Sequence, residues 1–490
     1  MNSNQRNAPF RLSRCLLAGA LLGALQGPRS GAETNGTEAP RPIHLAEAID
    51  VCLKQNRDLA LLALAAEGRN ADLKAAQNEY LWTVRPDGSA ETSSDGTTLG
   101  YGATVARRTP WGTRAEVGGS IREEDRNEQT QTHRGAVLIQ IEQPLLRRVG
   151  RLVNEEPTAR AAGAIAAARR EIELRRTDLI VQVVELYEEL FRLQMQAECD
   201  RQTAERLDRF FLLAQARERQ GRATRVDVLR SELKAGSARL LLSGTIEQLA
   251  ARRADFAELL GLTPETACVV APAARMEVAA PARESAVRCA LSNRMDYAQI
   301  LQDRDDAARG VRIARRNLLP DLNLISRYER VGAGTTSSDA MRLDDSAWFV
   351  GLTLQSDFPP RGERIAAERA ETDKRMAQLR METVRSAIRR QVQQALLSHE
   401  RARNETAPAE RNCELARTRA NLARRLFESG RGDSFTLAEA EDELREAEAR
   451  MLDAEAAASV AGYRLLRVMG RLVEYPEDLK PHAAQDEAGP

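Results

Sequence analysis

The side chains in this sequence that could do chemistry are few, and they form no known catalytic pattern. The motifs G-x-x-x-x-G-K-[ST], H-E-x-x-H and G-x-S-x-G are absent. The histidines, His44, His133, His399 and His482, lie far apart and give a metal site nothing to build on. We therefore predict a protein that is not an enzyme and that needs no metal ion and no cofactor.

Two short segments combine a glycine with charged neighbours. Gly221 is followed by Arg222, and Gly430, 209 positions later (430 − 221), is followed by Arg431. Glycine tolerates backbone angles that other residues avoid, so both segments are predicted to be tight turns. Charged residues at such turns are either solvated helix ends or partners in contacts between helices. The sequence leaves both interpretations open.

The two turns belong to a longer internal duplication. Ala48 recurs as Ala286 at an offset of 238 (286 − 48), and neighbouring matches keep that offset. In both copies another glycine follows 40 residues after the turn glycine, at Gly261 and Gly470 (261 − 221). Matches in the same order predict two structural repeats and a polar tail. Their bounds are 45–284, 285–470 and 471–490.

The composition excludes some classes of protein and favours long helices. Lys plus Arg equals Asp plus Glu at 72 each, so the charge gives no case for nucleic-acid binding. Aromatic residues make up only 4% of the 490 residues. That fraction is typical of long helices rich in alanine, arginine, glutamate and leucine.

Residues 1–32 are predicted to be an export signal, followed by a linker at 33–44. The segment has a basic start, an apolar run at residues 15–25 and a small-residue cleavage site at Ser30-Gly31-Ala32. An uncleaved membrane anchor is the alternative. An apolar run of 11 residues is too short to span a hydrocarbon core of ~30 Å.

The cysteines do not predict a disulfide framework. After the export signal there are five cysteines, an odd number, and no C-x-x-C pair. A disulfide-built exported protein would need paired cysteines. We predict buried free thiols at Cys52, Cys199, Cys268, Cys289 and Cys413.

Long helices are predicted from apolar periodicity. Leu179, Val183, Leu186 and Leu190 follow a heptad spacing, and a second stripe from Ile180 runs beside them. Two stripes would allow contacts on both flanks, as in the wall of a tube, although an ordinary helix with a wide buried face is the alternative. The predicted helical segments are 45–81, a hairpin at 157–261, 285–319 and a hairpin at 361–470.

Strands are predicted at about 97–146 and about 321–357. Apolar and polar residues alternate there in runs of about ten residues, as in Leu322, Leu324 and Tyr328. The pattern fits membrane-spanning β-strands, and it fits a small soluble sheet equally well. The first copy is about 25 residues longer here (238 against about 213), which indicates an added hairpin or longer external loops.

Taken together, these segments resemble the TolC-like outer membrane efflux proteins over essentially the whole mature sequence. No single motif decides the resemblance; it rests on the order of all of them, twice over. The matching segments are Ala48 to Asp58 with its copy, 143–147, 314–324, 221–229 and 427–435.

The resemblance implies a mainly α fold with a membrane β-barrel part. The internally duplicated, coiled-coil-like helices would form an α-barrel tunnel through the periplasm. Four strands from each protomer would form a 12-stranded β-barrel in the outer membrane of a homotrimer. Open strand edges are not tolerated in lipid, and three copies of such a strand set could close.

The resemblance also implies that the two glycine turns form the periplasmic tip, where the tunnel narrows. Asp227 matches an acidic position used in interhelical contacts at the tip, and Arg222, Arg225 or Arg431 could pair with it. Phe427 stands where a tyrosine often serves, so a hydroxyl hydrogen bond is missing.

Further positions of the second turn depart from the family pattern. Thr436 and Glu439 stand where some members carry an acidic ring, so only Glu439 could retain that charge. Three copies of one carboxylate around a pore would favour cations. Gly432 replaces a residue that is basic in some members.

The predicted function is a passive exit duct of a tripartite efflux or type I secretion system. It would carry small toxic molecules or proteins and contact outer membrane lipid. It would require a periplasmic adaptor (membrane fusion) protein and an inner-membrane pump that supplies the energy. The alternative is a soluble periplasmic coiled-coil scaffold or adaptor, motivated by the heptads and the weak strand signal.

Overall fold

The computed structural model describes residues 42–93, 96–126, 130–266, 268–273, 278–476 and 479–481. The predicted export signal, the linker up to residue 41 and the tail beyond residue 481 lie outside the described residues.

Helices account for most of the described chain, and we number them in chain order. They are α1 (Leu45–Gln55), α2 (Arg57–Asn78), α3 (Arg151–Asn154), α4 (Glu156–Arg219), α5 (Arg225–Leu259), α6 (Arg283–Asn293), α7 (Met295–Arg316), α8 (Ser337–Ala340), α9 (Arg361–Glu428) and α10 (Ser434–Val468). The outer ends of the two long hairpins, at Glu156, Leu259, Arg361 and Val468, lie within two residues of their predicted bounds. α4 has 64 residues and α9 has 68, so each is about 100 Å long at 1.5 Å per residue.

The short helices of each copy differ from the prediction in one respect. The sequence predicts one helix over 45–81 and one over 285–319, whereas each is two helices separated by a single extended residue, Asn56 or Arg294. The Asn56 side chain accepts hydrogen bonds from the backbone N–H groups of Asp58 and Leu59, so it ends α1 and caps α2. The break recurs at the same place in both copies (294 − 56 = 238).

The strands form two sheets. Two-residue strands β1 (Pro42–Ile43) and β6 (Val269–Val270) pair in parallel. The other six strands form one antiparallel sheet in the order β2-β3-β4-β5-β7-β8. Their bounds are β2 (Thr83–Ser93), β3 (Gly96–Arg108), β4 (Arg114–Arg126), β5 (Thr130–Pro144), β7 (Asp321–Gly334) and β8 (Asp345–Gln355).

The number and start of the strands correct the expectation from the sequence. The first copy contributes four strands from Thr83 onward, not from about 97, and the sheet has six strands instead of the four that the family pattern implies. The predicted count of twelve in a trimer therefore does not follow from this sheet. Of the two explanations for the longer first copy, the added hairpin is the one observed. The apolar positions of β2 are mostly small, as in Gly88 and Ala90, which is why its alternation was missed.

The core between α1, α4 and α5 surrounds Tyr187, which is fully buried and packs edge-on against Phe256. The Tyr187 hydroxyl lies 2.7 Å from the carbonyl oxygen of Ala271 and 2.9 Å from that of Ile43. It thus ties α4 to the ends of both short strands, and burial raises its pKa to about 12.

All five cysteines of the described chain are free, and three of them (Cys52, Cys268 and Cys413) are buried. Burial raises the pKa of Cys52 to about 11, so its thiol is protonated and unreactive at neutral pH. Within the described residues, no helix is both long enough and apolar enough to cross a membrane.

Candidate functional site: two helical turns and a two-faced sheet

The first candidate site lies where the long helices reverse direction. The first turn (residues 220–224) joins α4 to α5, and the second turn (residues 429–433) joins α9 to α10. Gly221 and Gly430 have positive φ angles of 69° and 77°, in the left-handed region that favours glycine. Both glycines therefore have the backbone role that the sequence predicts.

The helix that follows each turn, α5 or α10, begins with a threonine and an aspartate, and the two residue types have exchanged positions between the turns. In the first turn Thr224 is the N-cap residue, and the Asp227 carboxylate accepts hydrogen bonds from the Thr224 backbone N–H (3.1 Å) and hydroxyl (2.6 Å). In the second turn the N-cap residue is Asp433, which accepts from the backbone N–H of Thr436 (2.8 Å). The 209-residue offset converts Thr224 and Asp227 into Asp433 and Thr436 (433 − 224; 436 − 227).

Asp227 also reaches the other helical pair. The Ser434 hydroxyl donates a hydrogen bond of 3.0 Å to the second carboxylate oxygen of Asp227. The hydrogen bonds from Thr224, with a smaller contribution from Ser434, hold the pKa of Asp227 below its ordinary value of 3.8. Asp227 is therefore a charged acceptor that connects α5 to the start of α10.

Arg217 makes the second connection between the two helical pairs. Its guanidinium donates to the carbonyl oxygens of Phe427 (2.9 Å) and Glu428 (3.1 Å) at the C-terminus of α9. It also lies over the Phe427 ring, 4.8 Å from the centroid, while Phe427 packs edge-on against Phe210. A cation at the C-terminus of a helix is favourable, and so is a cation above an aromatic face.

The arginines near the turns have different surroundings. Asp227 bonds to Thr224 and Ser434, whereas Arg225, one of its expected partners, pairs with Glu218 at 3.5 Å. Arg222 and Arg431 have exposed side chains.

Glu439 is also exposed, and it pairs with Arg419 of α9 at 3.1 Å. The exposed Thr436 uses its backbone N–H in the cap of α10. Gly432 approaches the backbone of α9 so closely that an added Cβ would lie 3.0 Å from the Phe427 nitrogen.

A buried ion cluster lies farther along the helices. Glu441 of α10 is 1% exposed and accepts from Arg424 of α9 (2.5 Å) and Arg206 of α4 (3.3 Å). Removing one partner of such a cluster leaves a buried charge uncompensated, which is strongly destabilising. The cluster joins three of the long helices at one point.

The second candidate site is the six-stranded sheet, whose two faces differ in polarity. One row of paired residues crosses all six strands with only aliphatic and aromatic side chains: Val84, Val105, Val117, Ile139, Tyr328 and Trp348. The apolar face is unprotected, since Trp348 is 79% exposed and Leu354 is 67% exposed.

Polar residues alternate with this apolar row on the other face of the sheet. Arg85, Thr104, Glu116 and Arg327 lie there, on four different strands. A sheet with one exposed apolar face and one polar face fits a wall between lipid and water.

Comparison with known proteins agrees with this description. Residues 286–471 match the family model "Outer membrane efflux protein", so the second copy is similar to that family. A search of curated proteins finds no match for this sequence.

Solved structures extend the likeness to the fold of most of the chain. The outer-membrane channel OprN has 18% identity and a TM-score of 0.68, with 87% of this chain and 89% of that chain covered. VceC of Vibrio cholerae has 15% identity and a TM-score of 0.66, with 87% and 96% covered. MtrE of Neisseria gonorrhoeae, solved in its open state, has 14% identity and a TM-score of 0.67, with 88% and 89% covered. The predicted resemblance and the mainly helical fold with an antiparallel sheet are therefore confirmed.

Proposed function

We propose that this chain is one protomer of a homotrimeric exit duct in the outer membrane. The duct would release small toxic molecules or proteins as part of a tripartite efflux or type I secretion system. The observation that carries the proposal is the pairing, in one chain, of a sheet with a continuous apolar face and helices about 100 Å long. The sheet would face lipid, and the helices would extend through the periplasm.

Three copies are proposed because a single sheet leaves unpaired backbone groups at both edges. Such edges are costly in lipid, where water cannot satisfy them. Copies arranged in a ring would pair the edges and place the polar faces around a water-filled lumen. The match of residues 286–471 to the outer membrane efflux protein family supports this arrangement.

The duct requires one partner that supplies energy and another that connects it to the inner membrane. Since the sequence carries no nucleotide-binding motif, transport would be driven by an inner-membrane pump, joined to the duct by a periplasmic adaptor. The two turns are proposed as the periplasmic end that meets these partners. The exposed guanidinium groups of Arg222 and Arg431 are available there for contacts with other chains.

The tip is proposed to be closed by the links between the two helical pairs. Opening would move α9 and α10 away from α4 and α5, and would break the Asp227–Ser434 and Arg217–Phe427 hydrogen bonds. Both bonds are polar and part-buried, so opening would replace them with hydrogen bonds to water. Glu439 would place a carboxylate from each copy near the constriction.

Membrane fractionation tests the function. The mature chain should stay with the outer membrane after high-salt and alkaline washes, and it should run as a heat-modifiable oligomer on gels. A chain that washes off as a soluble, non-oligomeric species would overturn the duct and would favour a periplasmic scaffold.

A further inference from the structure

We propose that the sheet closes with two further copies of this chain into an eighteen-stranded wall, through pairing of β8 of one copy with β2 of the next. This inference rests on the proposed duct and goes beyond it, because it assigns the surface on which the copies meet. The surface is the pair of open strand edges, and the partner is a second copy of this chain.

The added hairpin is part of the sheet and not an appendage. β3 pairs with β4 from Thr97 to Arg108, along nearly the whole of both strands. β4 is therefore an interior strand. A four-strand contribution would require this whole ladder to separate, so that β4 could pair with β8 of the next copy. The backbone groups of β3 would then lose their partners, which is costly away from water.

The faces of the hairpin also agree with the rest of the sheet. Val84 of β2 and Val105 of β3 continue the apolar row that ends at Trp348 of β8. The neighbouring rows place Arg85 and Thr104 on the polar face. Both strands of the hairpin therefore have the alternation expected of strands with lipid on one side and water on the other.

The two open edges match each other in length and direction. β2 and β8 each have 11 residues, and they run in opposite directions because the directions alternate along the six-stranded order. Pairing them end to end would be antiparallel. It would place Thr83 of one copy opposite Gln355 of the next, and Ser93 opposite Asp345.

This register keeps both faces continuous across the junction. It places Leu354 beside Val84 and Leu352 beside Pro86 on the apolar face. On the polar face it places Thr353 beside Arg85. A shift by one residue would put polar residues among the apolar ones.

The same register gives a reasonable barrel geometry. Within one copy, Thr83 of β2 and Phe349 of β8 lie in the same row of paired residues across the six strands. The end-to-end junction then leads from Phe349 to Ser89 of the next copy, a shift of six residues (89 − 83). Six residues over six strands gives a strand tilt of about 35° for a rise of ~3.3 Å and a strand spacing of ~4.8 Å. Known barrels have tilts of about 35–45°.

The consequence is a wide membrane segment. Barrel diameter grows roughly linearly with strand number, so eighteen strands give a diameter about one and a half times that of twelve. The membrane part of the duct would then be wide, and the helical tip would set the limit on passage.

Disulfide trapping in the full-length protein tests the junction. The variant Arg85→Cys/Thr353→Cys should form covalent trimers under oxidation on non-reducing gels, and each single variant should not. Val84→Cys/Leu354→Cys tests the same junction on the other face, in case the first variant folds poorly. The matched control pairs Thr353→Cys with Glu116→Cys of β4, the strand that would be the edge if the hairpin lay outside the wall.

The outcomes separate this inference from the duct itself. Covalent trimers from the β2–β8 variants alone support the eighteen-stranded wall. Trimers from the β4–β8 control overturn it. A native outer-membrane trimer in which neither β2–β8 pair cross-links also overturns the junction, while the proposed function stands. A chain found neither in the outer membrane nor as an oligomer overturns the proposed function as well.

Discussion

The two helical turns have the same backbone conformation but different side-chain roles. Both have a left-handed glycine followed three residues later by a helix N-cap residue, Thr224 in the first turn and Asp433 in the second. The acid stands at the third helical position in the first turn and at the cap in the second. Threonine and aspartate are both favourable N-cap residues, so each helix keeps a cap after the exchange.

The exchange does change what the carboxylate can reach. Asp433 binds the start of its own helix, whereas Asp227 binds the start of its own helix and also Ser434 of the other helical pair. Arg217 is asymmetric too, since its counterpart in the second copy is Leu426 (426 − 209). The duplication therefore preserved the backbone of the turns, and the charged side chains that link the two helical pairs at the turns, Arg217 and Asp227, belong to the first copy.

The largest expected effect is from Arg217→Ala. The change removes two hydrogen bonds from a charged donor and the contact with the Phe427 ring. Each such hydrogen bond contributes about 1.5–3 kcal/mol, so the open population should rise tenfold or more. Single-channel conductance in planar bilayers measures the change. Arg219→Ala, two residues along the same helix, is the control and should leave conductance unchanged. An equal effect of both variants would show that Arg217 has no special role.

Alanine substitution of Asp227 and of Asp433 separates the effect of the contact with Ser434 from the effect of the helix cap. Asp227→Ala and Asp433→Ala each remove a helix-start interaction, with a cost of about 1 kcal/mol in thermal stability. Only Asp227→Ala also removes the link to Ser434, so only this variant should raise conductance several-fold. Matching conductance increases in both variants would mean that helix fraying, not the link, opens the tip.

Exchange of the residues within the first turn sharpens the comparison. The double variant Thr224→Asp/Asp227→Thr gives the first turn the cap of the second and removes the carboxylate that reaches Ser434. We expect near wild-type thermal stability, within about 0.5 kcal/mol, with a conductance close to that of Asp227→Ala. Wild-type conductance would show that the position of the acid is unimportant.

Lowering the pH should have the smallest effect on conductance. The pKa of Asp227 is depressed in the folded state, so its contribution is present above the ordinary value of 3.8 and is lost as the pH falls through the folded value. Conductance should therefore stay constant from about pH 7 to about pH 5 and rise only below the ordinary Asp pKa. Asp227→Asn should lack this rise. A transition near neutral pH would point to another titrating group.

The features predicted from the sequence are those with a local signal. The turn glycines and the bounds of the long helices follow from backbone tolerance and apolar periodicity. The breaks at Asn56 and Arg294 were missed because one extended residue barely disturbs a helical pattern. β2 was missed because its apolar positions are mostly small.

The features that the sequence did not predict join residues far apart in the chain. Arg217 looks no different from Arg219 until α9 is placed beside it. Glu441 reads as one more charged residue on a helix, yet it is buried between Arg206 and Arg424. The contact between Asp227 and Ser434 joins residues 207 positions apart, and a sequence pattern gives no signal for it (434 − 227).

The most direct test of the central claim is the ion current through the purified protein in planar bilayers. The claim is that this chain forms a duct whose tip is held closed by links between its two helical pairs. Wild-type protein should give channels of low conductance, and Arg217→Ala/Asp227→Ala should give channels of much higher conductance in the same outer-membrane oligomer. An absence of channels from both proteins, or equal conductance of the two, would contradict the claim.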